Sequence, residues 1–341
     1  MRVVFVGQYD WANCAHRVAR ALNAHYYPDG SEQAARVIVM NEHPFDYEED
    51  LVVTGKKDNP PIGWTNALHV AQAHLLSEPG EPTWVFTTGD GSSIGYLGLK
   101  NLASVNYGTM HVGSAYRNAH TSFDLVDQKL GVDGNTEATV RFISADSMHL
   151  IHEKDTNRDF PYMHALDIES AQDARQCARP RLVHSPSSRE TKGTDAILAA
   201  VEGLRGRKID FDFDLIEGLS YDDCMNRREG GDIFIGQFNP DIGGFGYSEV
   251  EAAAQGMVVL SSMHKIDWEC WKGTKMEPPP FINAYPMDIL FGALRSLLSD
   301  SEKLQEAKER TVKWVNENAT LKAAGAIYAD VLERHGRGRS K

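Results

Sequence analysis

The chain has few cysteines, and they form no pattern. Cys14, Cys177, Cys224 and Cys270 make no CxxC pair and no metal-ligand spacing, which argues for a reduced compartment and against a disulfide framework or zinc site. No run approaches the ~18 apolar residues expected of a membrane-crossing helix. The opening Val3-Val4-Phe5-Val6 is too short for the apolar segment of a signal peptide, so a cytoplasmic location is expected. GxxxxGK[ST] is absent and no GxGxxG follows the first expected strand, which argues against kinases, ATPases and dehydrogenases. His149, His152 and Glu153, or His69 and His74, reproduce neither HExxH nor an open three-ligand set, so no metal is expected. Positive charge is also short, with 35 Lys and Arg against 48 Asp and Glu, a net charge of −13. Such a surface repels phosphodiesters and disfavours a general nucleic-acid binder, leaving only a local basic groove open to one.

What is present is an α/β pattern repeated twice. The 341 residues, 42% of them hydrophobic, fit two domains of roughly 150 residues each. Short β-branched runs alternate with helix-length amphipathic stretches, as parallel sheets require. In the first half, strands are expected at 3–6, 37–40, 51–54 and 84–87, with helices through 17–22 and 66–76. The second half restarts with strands at 181–184, 211–216, 232–235 and 257–260 and helices at 194–204 and 248–255. Domains of 1–170 and 171–300 follow. Residues 301–335 read as helices because Leu304, Ala307, Val312, Val315, Ala323, Ala326, Ile327 and Val331 recur at helical spacing.

Two segments carry chemistry. Gly243-Gly244-Phe245-Gly246-Tyr247-Ser248-Glu249-Val250-Glu251 lies between two buried strands. Its glycines let backbone approach a ligand closely, and the helix that follows offers unpaired N–H groups suited to a diphosphate. Glu251 falls in the helix's first turns, where a carboxylate can accept hydrogen bonds from ribose hydroxyls. The plain alternative is a Gly-rich turn with a solvated glutamate. His184-Ser185-Pro186-Ser187-Ser188-Arg189-Glu190-Thr191-Lys192-Gly193-Thr194 leaves the first strand of the second half. Arg189 supplies a planar fork and Lys192 a point charge, both suited to phosphate oxygens. Its plain alternative is a polar loop with solvated charges.

In this order, Lys192-Gly193, Phe245-Gly246 and Glu251-Ala252-x-Ala254-x-Gly256 resemble family 4 retaining glycosyltransferases, over residues 181–262. The resemblance implies the GT-B fold, with two Rossmann-like domains facing across a cleft and C-terminal helices crossing back onto the first. It implies a nucleoside diphosphate sugar as co-substrate, bound by the second domain, and no metal. Lys192 and Arg189 would neutralise the diphosphate, with Ser187 and the Gly244-Phe245-Gly246 backbone beside them, and Glu251 would hold the ribose. The loop containing Tyr9, Trp11 and Asn13 sits where the family places a donor-contacting loop. His111, in Met110-His111-Val112-Gly113, resembles the family's His-Gly loop near the reacting sugar. The acceptor would enter beside Tyr9, Trp11, His111 and Arg117.

The chain departs from the family at two places. The family has two glutamates eight positions apart; Glu251 matches the second, but Gly243 stands at the first. Asp241 or Glu249 is the candidate substitute for that carboxylate, although neither is in register. The family's arginine, five positions before the lysine, is Ser187 here, and Arg189 is its expected replacement. Three other readings stay open: a noncatalytic nucleotide-sugar binder on the same fold, a nucleotide-sugar epimerase, and an α/β serine hydrolase. The last rests on Gly91-Ser92-Ser93-Ile94-Gly95, which matches GxSxG, although Thr88-Gly89-Asp90 separates it from its strand.

Overall fold

The computed structural model describes residues 1–7, 10, 13–41, 50–55, 61–76, 83–88, 105–111, 139–145, 157–175 and 178–336. Among these the chain divides into two units: Met1–Asp167 with Trp268–Met276 and Leu321–Lys341, and Ile168–Asp267 with Glu277–Thr320.

The first unit is built on a parallel sheet. Its strands are β1 (Arg2–Gly7), β2 (Ala35–Val39), β3 (Leu51–Val52), β4 (Thr83–Thr88), β5 (Asn106–His111), β6 (Val140–Ile143) and β7 (Asp159–Pro161). Their order is β3-β2-β1-β4-β5-β6-β7, with Val3 opposite Ala35 on one side and Trp84 on the other. Every residue of β1 and β4 is buried, which explains why these strands read as continuous apolar runs rather than as alternation. Helix α1 (Cys14–Tyr26) buries Val18, Ala19, Ala21 and Leu22. Helix α2 (Gly63–Leu76) lays Ala67, Ala71 and Leu75, one helical face, on Val4, Val6 and Val85.

The second unit holds β8 (Arg181–His184), β9 (Asp212–Leu215), β10 (Ile233–Ile235), β11 (Val258–Ser261) and β12 (Ile282–Asn283). They run parallel in the order β12-β11-β10-β8-β9. Its helices are α3 (Arg189–Lys192), α4 (Thr194–Gly206), α5 (Tyr221–Arg228), α6 (Tyr247–Ala254), α7 (Met287–Leu298) and α8 (Ser301–Asn318). Ile197, Val201 and Leu204 of α4 pack with Leu290 and Leu294 of α7 against Leu182, Ile233 and Leu260 of the sheet. Burying each such side chain contributes about 1.5–3 kcal/mol.

The stretch expected to be helical over 301–335 is two helices belonging to different units. Helix α8 stays with the second unit, where the Lys308 ammonium donates to Asp232 Oδ1 at 2.8 Å and both side chains are almost fully buried. Helix α9 (Leu321–His335) belongs to the first. There Tyr328 Oη donates to the Met163 carbonyl at 2.8 Å and accepts from its N–H at 3.1 Å. No helix of the described residues is long and apolar enough to cross a membrane.

Candidate functional site

Strand order places the site. In the second sheet the chain leaves β8, pairs β9 on one side and then returns to place β10 on the other. Connections from β8 and β10 therefore depart to opposite sides, and the crevice beyond their carboxyl ends is the usual ligand position in open parallel sheets. The two segments singled out from sequence are the connections leaving these two strands.

The first connection opens at Ser188, whose hydroxyl caps α3 by accepting the Thr191 N–H. This brings Arg189 and Lys192 to the two ends of a single turn. The second connection is tied to the first by backbone, since Phe238 N donates to the Lys192 carbonyl at 2.9 Å and Asn239 Nδ2 to the Thr191 carbonyl at 3.0 Å. Gly193 makes this approach possible. Its φ is 66°, and a β-carbon there would stand 1.7 Å from the Phe238 carbonyl oxygen.

The Lys192 ammonium lies 3.6 Å from Glu249 Oε1. Glu249 is fully buried at the third position of α6, and its other oxygen accepts from the Gly246 N–H at 3.1 Å and Ser248 Oγ at 2.8 Å. Ser261 Oγ, on β11, stands 3.3 Å from Oε1. Burial pushes the Glu249 carboxyl upward, but the Lys192 charge and the hydrogen bonds from Ser248 and Gly246 outweigh it, so the group titrates below its usual range. The sequence reading offers Glu249 only as a substitute for the carboxylate missing at 243; its contact with Lys192 arises because this third-position side chain folds back under its own helix.

Arg189 is differently placed. It is half exposed and donates through Nε and Nη2, along one edge of its guanidinium, to the two oxygens of Glu217 at 2.8 and 2.6 Å. That contact raises the guanidinium and lowers the carboxyl from their ordinary values. Ser187 stands exposed in the same loop. An anion entering here meets Lys192 held from below and Arg189 already engaged by an exposed carboxylate. Because an exposed ion pair of this kind is worth only ~0–1 kcal/mol, a diphosphate can take over the fork at small cost.

In the glycine segment, the Gly244 carbonyl accepts Gln237 Nε2 at 2.8 Å and Ser261 Oγ at 3.2 Å. The Phe245 ring is buried edge-on against Phe281, so this residue anchors the loop in the core and offers a ligand only backbone. Gly243 has a steric reason to lack a side chain: a β-carbon would stand 2.5 Å from Lys265 Cβ and 2.7 Å from the Lys265 backbone nitrogen. No carboxylate fits at this position without moving the loop after β11. Glu251 is buried; its Oε1 accepts Tyr221 Oη at 2.9 Å and its Oε2 lies 3.8 Å from Arg228 Nη1.

In the first unit, Asn13 caps α1 with left-handed φ of 57°, and its Oδ1 is buried without a partner among the described residues. Buried Asp10 fills the start of that helix, accepting the Ala15 and His16 N–H groups at 2.8 Å each. A second anion has little to gain there. His111 is the last residue of β5 rather than part of a free loop; its side chain, and all of Tyr9, Trp11 and Arg117, lie outside the described residues. So does the 91–95 segment that carries Ser93. Among the described residues no three His, Cys, Asp or Glu side chains converge as metal ligands.

No protein-family model matches the sequence, and no curated protein is significantly similar to it. Solved structures do match over nearly the whole chain. Sucrose-phosphate synthase from Thermosynechococcus elongatus superposes with a TM-score of 0.58 at 10% identity, covering 98% of this chain and 99% of its own. A glycosyltransferase from Rickettsia africae gives 0.58 at 11% identity, covering 98% of each chain. An alpha-glucosyltransferase solved with UDP and a 13-mer DNA gives 0.56 at 10% identity, covering 98% and 99%. The fold is that of GT-B glycosyltransferases.

On this fold, one buried group behind the crevice has a measurable signature. His184 Nδ1 lies 2.7 Å from the Ile235 carbonyl, which can only accept, so Nδ1 carries the proton and Nε2 accepts from Thr194 Oγ1 at 3.0 Å. Burial foremost, and the nearby Lys192 charge, pull the imidazole down to about 4, against the Ile235 hydrogen bond and the Glu249 charge. An unfolded histidine titrates near 6.5. Between those values the unfolded chain binds the extra proton, so this contribution is complete above pH 6.5 and is lost as pH falls towards 4. Calorimetric unfolding should therefore show a midpoint that drops across this window. His184→Asn should make the slope shallower, whatever its offset at neutral pH. His74 of the first unit, also lowered to about 4 by burial, keeps part of the slope in that variant.

Proposed function

We propose that the protein is a retaining glycosyltransferase of family 4 type. It moves a hexosyl or pentosyl group from a nucleoside diphosphate sugar to an acceptor hydroxyl. One observation supports this reading: the connections leaving β8 and β10, which carry Lys192 with Arg189 and the glycine loop with Glu251, are joined beyond the switch point of the second sheet by the Phe238 N–H bond to the Lys192 carbonyl and the Lys192–Glu249 contact. The alpha-glucosyltransferases of similar fold were solved with UDP or UDP-glucose and with DNA, which supports a nucleoside diphosphate as donor carrier. In this reading Lys192 neutralises the β-phosphate, Arg189 exchanges Glu217 for phosphate oxygens, and Glu251 receives the ribose.

Breaking the anomeric C–O bond builds negative charge on the departing diphosphate. A cation held by a buried carboxylate stabilises that charge without reorganising. Side chains and a helix terminus do this work, so no metal is needed. The acceptor is assigned to the first unit, at Tyr9, Trp11, His111 and Arg117, with Asn13 on the donor side. The net charge of −13 favours a small or uncharged acceptor over a bulk polyanion. Four scattered cysteines, Cys14, Cys177, Cys224 and Cys270, in no disulfide-like pattern, suit the cytoplasm.

The test is a thermal-shift screen of UDP, GDP, ADP and TDP, followed by incubation with the matching nucleotide sugars. At least one nucleoside diphosphate should raise the unfolding midpoint, because a ligand that binds only the folded state stabilises it. The matching sugar should release that diphosphate in the presence of acceptor. Binding without release across a donor and acceptor panel would favour a noncatalytic binder, the reading that the side-chain-free Gly243 supports. An altered sugar formed without acceptor would point to an epimerase.

A further inference from the structure

Tyr221 is an exposed aromatic residue tied by its hydroxyl to a buried acid. It opens α5, beyond the carboxyl end of β9, and keeps 58% of its surface exposed, with Leu219 before it at 46%. Its Oη nevertheless donates to Glu251 Oε1 at 2.9 Å. The acid's other oxygen faces Arg228, which is held deep in the unit: its guanidinium stacks over the Phe234 ring at 4.7 Å and donates to the Ser248 carbonyl at 2.9 Å. Glu251 thus has one oxygen towards a fixed internal cation and one towards a phenol whose ring is largely in water. A hydrogen bond from a neutral hydroxyl to a buried carboxylate stabilises its charge, which gives the phenol a role at Oε1. That role ends when another hydroxyl can reach the same oxygen.

We propose that Tyr221 stands in for the ribose of a nucleoside diphosphate: its hydroxyl occupies Glu251 until a 2′,3′-diol displaces it, and its ring, beside Leu219, then becomes the platform for the base. This rests on the second unit binding a nucleoside diphosphate. It adds that the choice of a ribonucleotide is set by a competition at one carboxylate oxygen. Chemistry points to a nucleoside because an exposed aromatic ring lies beside a carboxylate acceptor, Glu251 Oε1, which that residue's own hydroxyl already reaches. A flat heterocycle joined to a vicinal diol satisfies both at once. Truncating the phenol removes the competitor and keeps the ring. The ribonucleotide should therefore gain affinity, whereas an analogue without the diol should not.

The experiment is titration calorimetry of wild type, Tyr221→Phe and Tyr221→Ala with UDP and 2′,3′-dideoxy-UDP, and with the guanosine and adenosine pairs in parallel. Unfolding midpoints confirm that the variants fold. For the nucleotide that wild type binds, Tyr221→Phe should raise the preference for the ribose form about tenfold, the scale of a hydrogen bond to a charged group. Tyr221→Ala should weaken both forms together by roughly tenfold through loss of the ring. An unchanged ribose preference in Tyr221→Phe overturns the proposal, as does weaker ribonucleotide binding, which would make the hydroxyl a direct ligand. Should wild type bind no nucleoside diphosphate, the donor-site reading itself fails. Binding with an unchanged preference leaves that reading standing and removes only the role given to Tyr221.

Discussion

Replacing Lys192 by alanine is expected to slow sugar transfer about a hundredfold at saturating donor, the scale seen when one fixed donor to a developing negative charge is deleted. The ammonium lies 3.6 Å from Glu249 and its side chain is only 16% exposed, so its position is fixed before any ligand arrives. Such preorganisation acts on the charge that appears during bond breaking and gives the ground state less. The simple variant carries a complication, because it also strands the fully buried Glu249 carboxylate without its cation, which destabilises the fold. The decisive form is therefore Lys192→Met combined with Glu249→Gln. It removes both charges, keeps similar volume and leaves acceptors for Ser248 and the Gly246 N–H. This double variant should unfold close to the wild-type midpoint and still release nucleoside diphosphate about a hundredfold more slowly. A folded double variant with the wild-type rate would show that Lys192 is not the cation of the reaction.

How much of this was legible in the sequence follows from what each element buries. Strands β1, β4, β8, β10 and β11 read directly because they are short apolar runs covered on both faces. Strands β5 and β7 did not. Asn106-Tyr107-Gly108-Thr109-Met110-His111 carries polar residues along its length, yet Asn106 is buried because its amide donates to the Thr83 carbonyl at 3.0 Å. Asp159-Phe160-Pro161 contains a fully buried aspartate that is paired with Arg141 across the β6–β7 ladder. A strand whose polar groups are satisfied by its neighbours has no hydrophobic signature of its own. Two residues opposite each other on adjacent strands are far apart in sequence. Helix α5 was also missed, since Tyr-Asp-Asp-Cys-Met-Asn-Arg-Arg has no apolar stripe. It is set by the Ser220 cap and buries chiefly the stem and head of Arg228.

The site divides in the same way. Lys192, the glycine loop and Glu251 were visible because spacing along one chain carries them. Their partners were not. Glu249, His184 and Tyr221 matter through contacts across the sheet, between residues 57, 51 and 30 positions apart. Arg189 shows the reverse: its residue type suits a diphosphate, but Glu217, 28 residues on, already holds its fork. The Gly243 departure, which sequence presents as a lost carboxylate, is in space a close approach of the Lys265 backbone.

Gly193→Ala is expected to lower the unfolding midpoint of the second unit by roughly 10 °C, as a cost of about 3 kcal/mol would. Two penalties combine. At φ 66° an alanine carries left-handed strain, which costs roughly 1–2 kcal/mol, and its β-carbon would stand 1.7 Å from the Phe238 carbonyl oxygen. Relieving that contact costs about 1–3 kcal/mol more, since the β10 exit must move away from α3. Such a movement would stretch the Phe238 N–H bond to the Lys192 carbonyl, so nucleotide affinity should fall along with stability. Gly218→Ala separates the two penalties. Its φ is 68°, nearly the same, but a β-carbon there has nothing within 4 Å. That variant should lose only the strain, about a third to a half of the Gly193→Ala effect, and keep nucleotide binding within twofold. Equal losses in stability would mean that the two ligand-side connections do not touch at Gly193, and that Lys192 is not held where the reaction needs it.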